Sequence, residues 1–98
     1  VKKGNEKVIR QLCEVLAGMQ NVDDVAAFLD DLCTVSEIES LSLRLEVARC
    51  LDGGMNYAKV NETTGVSSAT ICRVNRCLNY GAGGYKTALK LIEKESAI

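Results

Sequence analysis

Proline and histidine are both absent from this 98-residue chain, and its aromatic side chains are only Phe28, Tyr57, Tyr80 and Tyr85. The β-branched and aromatic runs that mark a sheet are therefore missing, and helices are the default. Without histidine the commonest general base is gone. No nucleophile–base pair stands out either, so the chain does not read as an enzyme. The five cysteines, Cys13, Cys33, Cys50, Cys72 and Cys77, form an odd set with no C-x-x-C pair. With no histidine to complete a common zinc site, they read as reduced core or near-surface thiols and not as a metal centre. No apolar run approaches the roughly 18 residues of a membrane span, and the charges between Val1 and Arg10 are not followed by a signal-peptide core. The expectation is a soluble, unexported, cytoplasmic protein with no membrane partner.

What is present is ordinary globular composition, 47% hydrophobic and 26% charged, consistent with one domain over residues 1–98. A domain this small leaves much of its surface uncovered when it folds alone, so help from a partner subunit is expected. Net charge is −1, which argues against indiscriminate coating of nucleic acid. The charge is unevenly spread: residues 1–52 carry six basic against ten acidic side chains, and residues 53–98 carry six against three. No basic residue stands between Gln11 and Leu43, while Glu14, Asp23, Asp24, Asp30, Asp31, Glu37 and Glu39 are all acidic. Phosphate is repelled there, so any nucleic-acid face belongs after Gly53.

Apolar periodicity places the helices. Val8, Leu12, Val15, Leu16 and Met19 follow a 3.6-residue period over Glu6 to Ala17, with Gly18 as a stop. Asn21 can cap a second helix, striped by Val22, Val25, Phe28, Leu29 and Leu32 and ending near Cys33, with Asp23 and Asp24 at the positive end of its dipole. Two overlapping capping boxes, Thr34–Glu37 and Ser36–Glu39, announce a third. Its stripe is Ile38, Leu41, Leu45, Ala48 and Leu51, widened by Leu43, Val47 and Cys50, and Gly53-Gly54 ends it. That girth predicts burial from more than one side, as in a two-chain core; a deeply buried central helix in a monomer is the competing account. Two short helices follow, from Asn56 to about Thr64 and from Ser67 to about Leu78. Beyond the glycines at 81, 83 and 84 a final helix carries Tyr85, Ala88, Leu89 and Ile92 on one side and ends near Lys94.

The segment from Tyr57 to Arg76 has the spacing of a helix-turn-helix, within residues 56–78. Val60 is followed five residues later by Gly65, suited to the left-handed conformation at the turn, then by Val66 and the inward stripe Ile71, Val74 and Leu78. Ser67 is the natural N-cap of the second helix. Its opposite side presents Ser68, Ala69, Cys72, Arg73 and Arg76, and Thr70 can serve either face. Small residues at the helix start let the backbone come close to a double-stranded DNA groove. Hydroxyls can donate to phosphate or base edges, and arginine can fork onto guanine. Tyr57 and Lys59 are placed to meet the sugar-phosphate backbone. Asn61 departs from the pattern, since the position four before the glycine is usually alanine. The reading is a DNA-binding transcription regulator, a repressor. The alternative is a protein-interaction module using the helical core and its acidic half, with no DNA binding.

The stretches Leu32 to Leu41 through Arg44, Gly54-Met55, and Gly65-Val-Ser-Ser-Ala-Thr-Ile-Cys-Arg73 resemble the Trp repressor superfamily. More closely, Phe28-Leu-Asp-Asp-Leu-Cys-Thr-Val, Arg44-Leu-Glu-Val-Ala-Arg and Arg73-Val-Asn-Arg-Cys-Leu-Asn-Tyr-Gly81 look like the YerC/YecD-type Trp-repressor-like proteins. The resemblance spans roughly Val25 to Leu91. It implies an all-α chain of about six helices intertwined with a second copy as a homodimer, with the fourth and fifth helices as reading heads. It also implies a tryptophan site in which two arginines sandwich the ring; Arg44 and Arg73 fall at those positions, and Thr34 matches a threonine near the pocket. Val74 stands where the family's repressor has glycine, and Cys77 replaces a serine that supports the ligand. No cofactor is therefore expected, with an amino-acid co-repressor such as tryptophan as the alternative. The plainer account of the same residues has Arg44 paired with Asp30, Asp31 or Glu37, and Thr34 as a helix cap.

Overall fold

The computed structural model describes residues 5–96. Among them stand six α-helices and no strand: α1 (Glu6–Gly18), α2 (Val22–Leu32), α3 (Val35–Asp52), α4 (Tyr57–Thr64), α5 (Ser68–Tyr80) and α6 (Gly84–Ser96). Val1–Gly4, with the charges of Lys2 and Lys3, lie outside the described residues, as do Ala97 and Ile98. The chain forms two compact units, Val1–Ile38 and Glu39–Ile98, with the boundary inside α3. No helix of the described residues is long and apolar enough to cross a membrane, and no group of cysteine and acidic side chains among them is arranged to hold a metal.

The helix starts are set by side chains that satisfy otherwise orphaned N–H groups. At α2, Asn21 Oδ1 accepts from the N–H groups of Asp23 and Asp24 at 2.8 and 3.3 Å. Of the two overlapping boxes before α3, the first is used. The Thr34 N–H donates to Glu37 Oε1 at 2.8 Å, while the Glu37 N–H donates to Thr34 Oγ1 at 3.1 Å. This reciprocal pair holds the Glu37 carboxyl below its ordinary pKa, through the backbone N–H of Thr34 first and its hydroxyl second. Gly18, expected as a stop, is instead the last residue of α1, and the chain turns extended at Met19.

The exit from α3 is a Schellman motif. The Met55 N–H reaches back to the Cys50 carbonyl at 3.1 Å and the Gly54 N–H to Leu51 at 3.0 Å, with Gly54 at φ 90°. Only glycine enters that region without strain, and the motif swings Met55 back onto the core.

The second unit holds the buried core: Val47, Ala48 and Cys50 of α3, Val60 of α4, Val66 of the turn, Ile71, Val74 and Leu78 of α5, and Leu89 of α6. Helix α5 packs against both α4 and α6. The α3 stripe read from periodicity needs correcting. Leu41 is exposed and Leu45 half-buried, whereas Val47 and Cys50, read only as widening the stripe, are buried. Which side of an apolar-all-round helix faces inward is decided by its neighbours, here α4 to α6, and not by its own period.

The first unit has a different character. Neither α1 nor α2 has a buried residue, although both carry the apolar stripes that the sequence predicts. Val22 is 83% exposed and Val35 78%, and Val8 and Leu32 are also exposed. Met19, Val22, Val25 and Leu29 line an open apolar groove. Among the described residues these stripes contribute nothing to a buried core.

Candidate functional site

Helices α4 and α5 meet at a three-residue corner, Gly65-Val66-Ser67. Gly65 adopts the expected left-handed conformation, φ 73° and ψ 5°, and its N–H closes α4 on the Asn61 carbonyl at 2.8 Å. The corner is further tied by side chains. Asn61 Nδ2 donates across it to the Val66 carbonyl at 2.7 Å, and the Thr64 hydroxyl donates to the Val60 carbonyl at 2.7 Å while accepting from the Val66 N–H at 3.2 Å. Asn61, out of pattern in the sequence, thus supplies a bond that alanine lacks. Val66 turns inward with Val60, fixing the two helices to one core.

Ser67 caps α5 as expected: its Oγ accepts from the Thr70 N–H at 3.3 Å, and its hydroxyl donates to Thr70 Oγ1 at 3.1 Å. These two hydroxyls are thereby engaged with each other. From there α5 divides cleanly. Ile71, Val74 and Leu78 are buried, whereas Ser68, Ala69, Cys72, Arg73 and Arg76 are exposed and Thr70 is half-buried. Among the described residues neither Arg73 nor Arg76 has a hydrogen-bond or ion-pair partner. Two guanidinium groups one helical turn apart, reached past small side chains, form a face that can receive planar acceptors or a polyanion. On α4, Tyr57 is 40% exposed, and Lys59 Nζ stands 3.9 Å from Glu62 Oε2, so its charge is partly answered within the helix.

Two of the three residues matched to a tryptophan pocket make local hydrogen bonds. Thr34 belongs to the first unit, with its hydroxyl accepting from Glu37. Arg44, half-buried on α3, folds back on its own helix, its Nε and a terminal nitrogen 3.4 Å from the Ser40 carbonyl and hydroxyl. Arg73 lies on α5 and shares no bond with Arg44. Val74, at the position where the family's repressor has glycine, is buried in the core.

Sequence reading ended the reading helix near Leu78, but α5 runs on to Tyr80, which is 87% exposed. The signal was present in the spacing, because Tyr80 continues the outward row of Ala69, Arg73 and Arg76 at intervals of four, three and four residues.

The sequence profile of the Trp repressor protein family matches residues 7–93. The uncharacterized protein YerC of Bacillus subtilis (strain 168) is 44% identical over 94 residues, covering 96% of this chain and 90% of that protein. Two solved structures share the fold. A Trp-repressor-type protein from Staphylococcus aureus is 37% identical with a TM-score of 0.83, over 93% of this chain and 89% of that one. A TrpR-like protein from Eubacterium eligens ATCC 27750 is 40% identical with a TM-score of 0.83, over 89% of this chain and 90% of that one.

Proposed function

Because this chain belongs to the Trp repressor family, we propose that it is a cytoplasmic transcription regulator, a repressor that binds double-stranded DNA sequence-specifically as a homodimer. The observation that carries this reading is the outward face of α5, where Arg73 and Arg76 are exposed and, among the described residues, unpartnered, on a helix whose other side is locked into the core. In this reading α5 enters the major groove by its N-terminal end. Ser68, Ala69 and Cys72 approach base edges, Arg73 and Arg76 meet guanine or phosphate, and Ser67, Thr70, Tyr57 and Lys59 contact the backbone.

The unsatisfied apolar stripes of α1 and α2 support the dimer, since a second copy supplies the core that one chain withholds. Within it residues 1–98 act as a single domain. Two symmetric reading heads then require half-sites about 34 Å apart, one helical turn of DNA. No co-repressor enters this reading, because Val74 stands where the family's repressor has glycine and Cys77 replaces a serine that supports the ligand.

Titration against random-sequence duplexes over a salt series, with selection of bound sequences, tests it. Binding should weaken steeply with salt. The double variant Arg73→Ala/Arg76→Ala, removing four charges per dimer, should flatten the log–log salt slope by about 3 to 4. Absence of duplex binding at low salt sinks the proposal and favours a protein partner on the acidic unit. Unchanged binding by the double variant places the contact on another surface.

A further inference from the structure

We infer that Tyr80 is a further DNA-contacting residue, one that grips the sugar-phosphate backbone at the distal end of the α5 footprint; this rests on the proposed role of α5 as the reading helix. Tyr80 is the most exposed of the exposed large apolar side chains, at 87%. Its register follows Ala69, Arg73 and Arg76, opposite the buried Ile71, Val74 and Leu78. The way α5 ends keeps the ring uncovered. The Gly81 N–H bonds to the Cys77 carbonyl at 2.9 Å, and any Cβ at position 81 would overlap that same carbonyl oxygen, so only glycine makes this tight exit. The chain then leaves toward α6 without laying a side chain over Tyr80. Its hydroxyl has no hydrogen-bond partner among the described residues.

Length decides what the ring meets. Tyr80 lies eleven positions beyond Ala69, about 16 Å along the helix at about 1.5 Å per residue, whereas the major groove is about 12 Å wide. With the N-terminal end of α5 at the base edges, Tyr80 lies beyond the groove wall. The local charge suits a phosphate there, because no acidic residue stands between Glu62 and Glu93. The phenol donates to a phosphate oxygen and the ring packs on deoxyribose, a neutral contact that positions the helix without reading sequence.

Neutrality gives the test a distinctive signature. Tyr80→Ala should weaken binding by the dimer about tenfold, from two lost contacts of roughly threefold each. The loss should be equal for all duplexes, with an unchanged salt slope. Tyr80→Phe, which keeps the ring, should fall between Tyr80→Ala and the unsubstituted protein. Thermal unfolding and dimer mass by sedimentation should stay unchanged, since the side chain is 87% exposed. Unchanged affinity for Tyr80→Ala, while Arg73→Ala/Arg76→Ala weakens binding, overturns the inference and leaves α5 as the reading helix. A change in dimer mass assigns Tyr80 to a protein contact and overturns it as well. If neither variant affects binding, the reading of α5 itself has failed.

Discussion

Replacing Gly65 by alanine perturbs backbone conformation and nothing else. The residue sits at φ 73°, ψ 5°, and a Cβ built on it meets no heavy atom within 4 Å. The penalty is therefore free of steric overlap. An L-residue in the left-handed region costs about 1–2 kcal/mol, offset by about 0.4–1 kcal/mol because alanine narrows the unfolded ensemble. A net loss of about 1 kcal/mol per chain follows, or a fall in Tm of about 4–8 °C for a domain of this size. Asparagine, which tolerates this region, should lose less. Gly18 supplies the internal control. It too meets nothing within 4 Å, but it lies in the last turn of α1, so Gly18→Ala should gain from a few tenths to about 1 kcal/mol through helix propensity. Urea unfolding followed by far-UV circular dichroism reads both, at one protein concentration because a dimer's stability depends on it, and with m unchanged. Equal stability of Gly65→Ala and the unsubstituted protein, or shifts of the same sign at both glycines, refutes the argument that conformation rather than space makes Gly65 a glycine.

Two further outcomes test the core and the caps. Ile71 is fully buried between the helices of the second unit, so Ile71→Ala should cost about 2–5 kcal/mol, seen as a lower urea midpoint; a loss below about 1 kcal/mol contradicts its place at the centre of the core. Glu37 and Glu46 both titrate below the ordinary carboxylate range, Glu37 through the N–H and hydroxyl of Thr34 and Glu46 through its hydrogen bond from Arg49. A depressed folded pKa gives stability that is present above the unfolded value, near 4.3, and is lost as pH falls through the lower folded value. The double variant Glu37→Gln/Glu46→Gln should therefore show a shallower fall of Tm between about pH 5 and pH 2, and an unaltered acid limb counts against both interactions.

How much of this was legible beforehand depended on whether the governing interaction was local. Caps are local: Asn21, Thr34 and Ser67 each bond within three residues, α2 and α5 begin where the sequence places them, and α3 begins at the first of its two candidate boxes. The inward stripe of α5 was legible for the same reason, since one apolar period on an otherwise polar helix leaves one choice of face. Helix α3 was not, because apolar residues surround it and its inner face is chosen by helices distant in sequence. The bond from Asn61 to Val66 was hidden too, since it exists only once the left-handed turn at Gly65 brings the Val66 carbonyl within reach of α4. Tyr80 was missed through a boundary error of two residues, the part of a helix that periodicity fixes least.

The electrical asymmetry of the chain bears on what kind of regulator the proposal describes. A protein that holds DNA by charge alone needs a surplus of cations, yet here the net charge is −1 and the long stretch from Gln11 to Leu43 has no basic residue. In a dimer that acidity is doubled, so a duplex approaching the stretch from Gln11 to Leu43 meets repulsion within a Debye length of about 8 Å. On the proposed reading non-specific affinity is thereby held down, while Arg73 and Arg76 attract the duplex at short range. Discrimination between sites is a difference of affinities, and lowering the weaker one raises it as surely as strengthening the other. Adding positive charge to α1 or α2 would on this argument tighten binding to random duplexes more than to the selected operator, which makes the acidic unit part of the specificity even though it lies outside the proposed reading face.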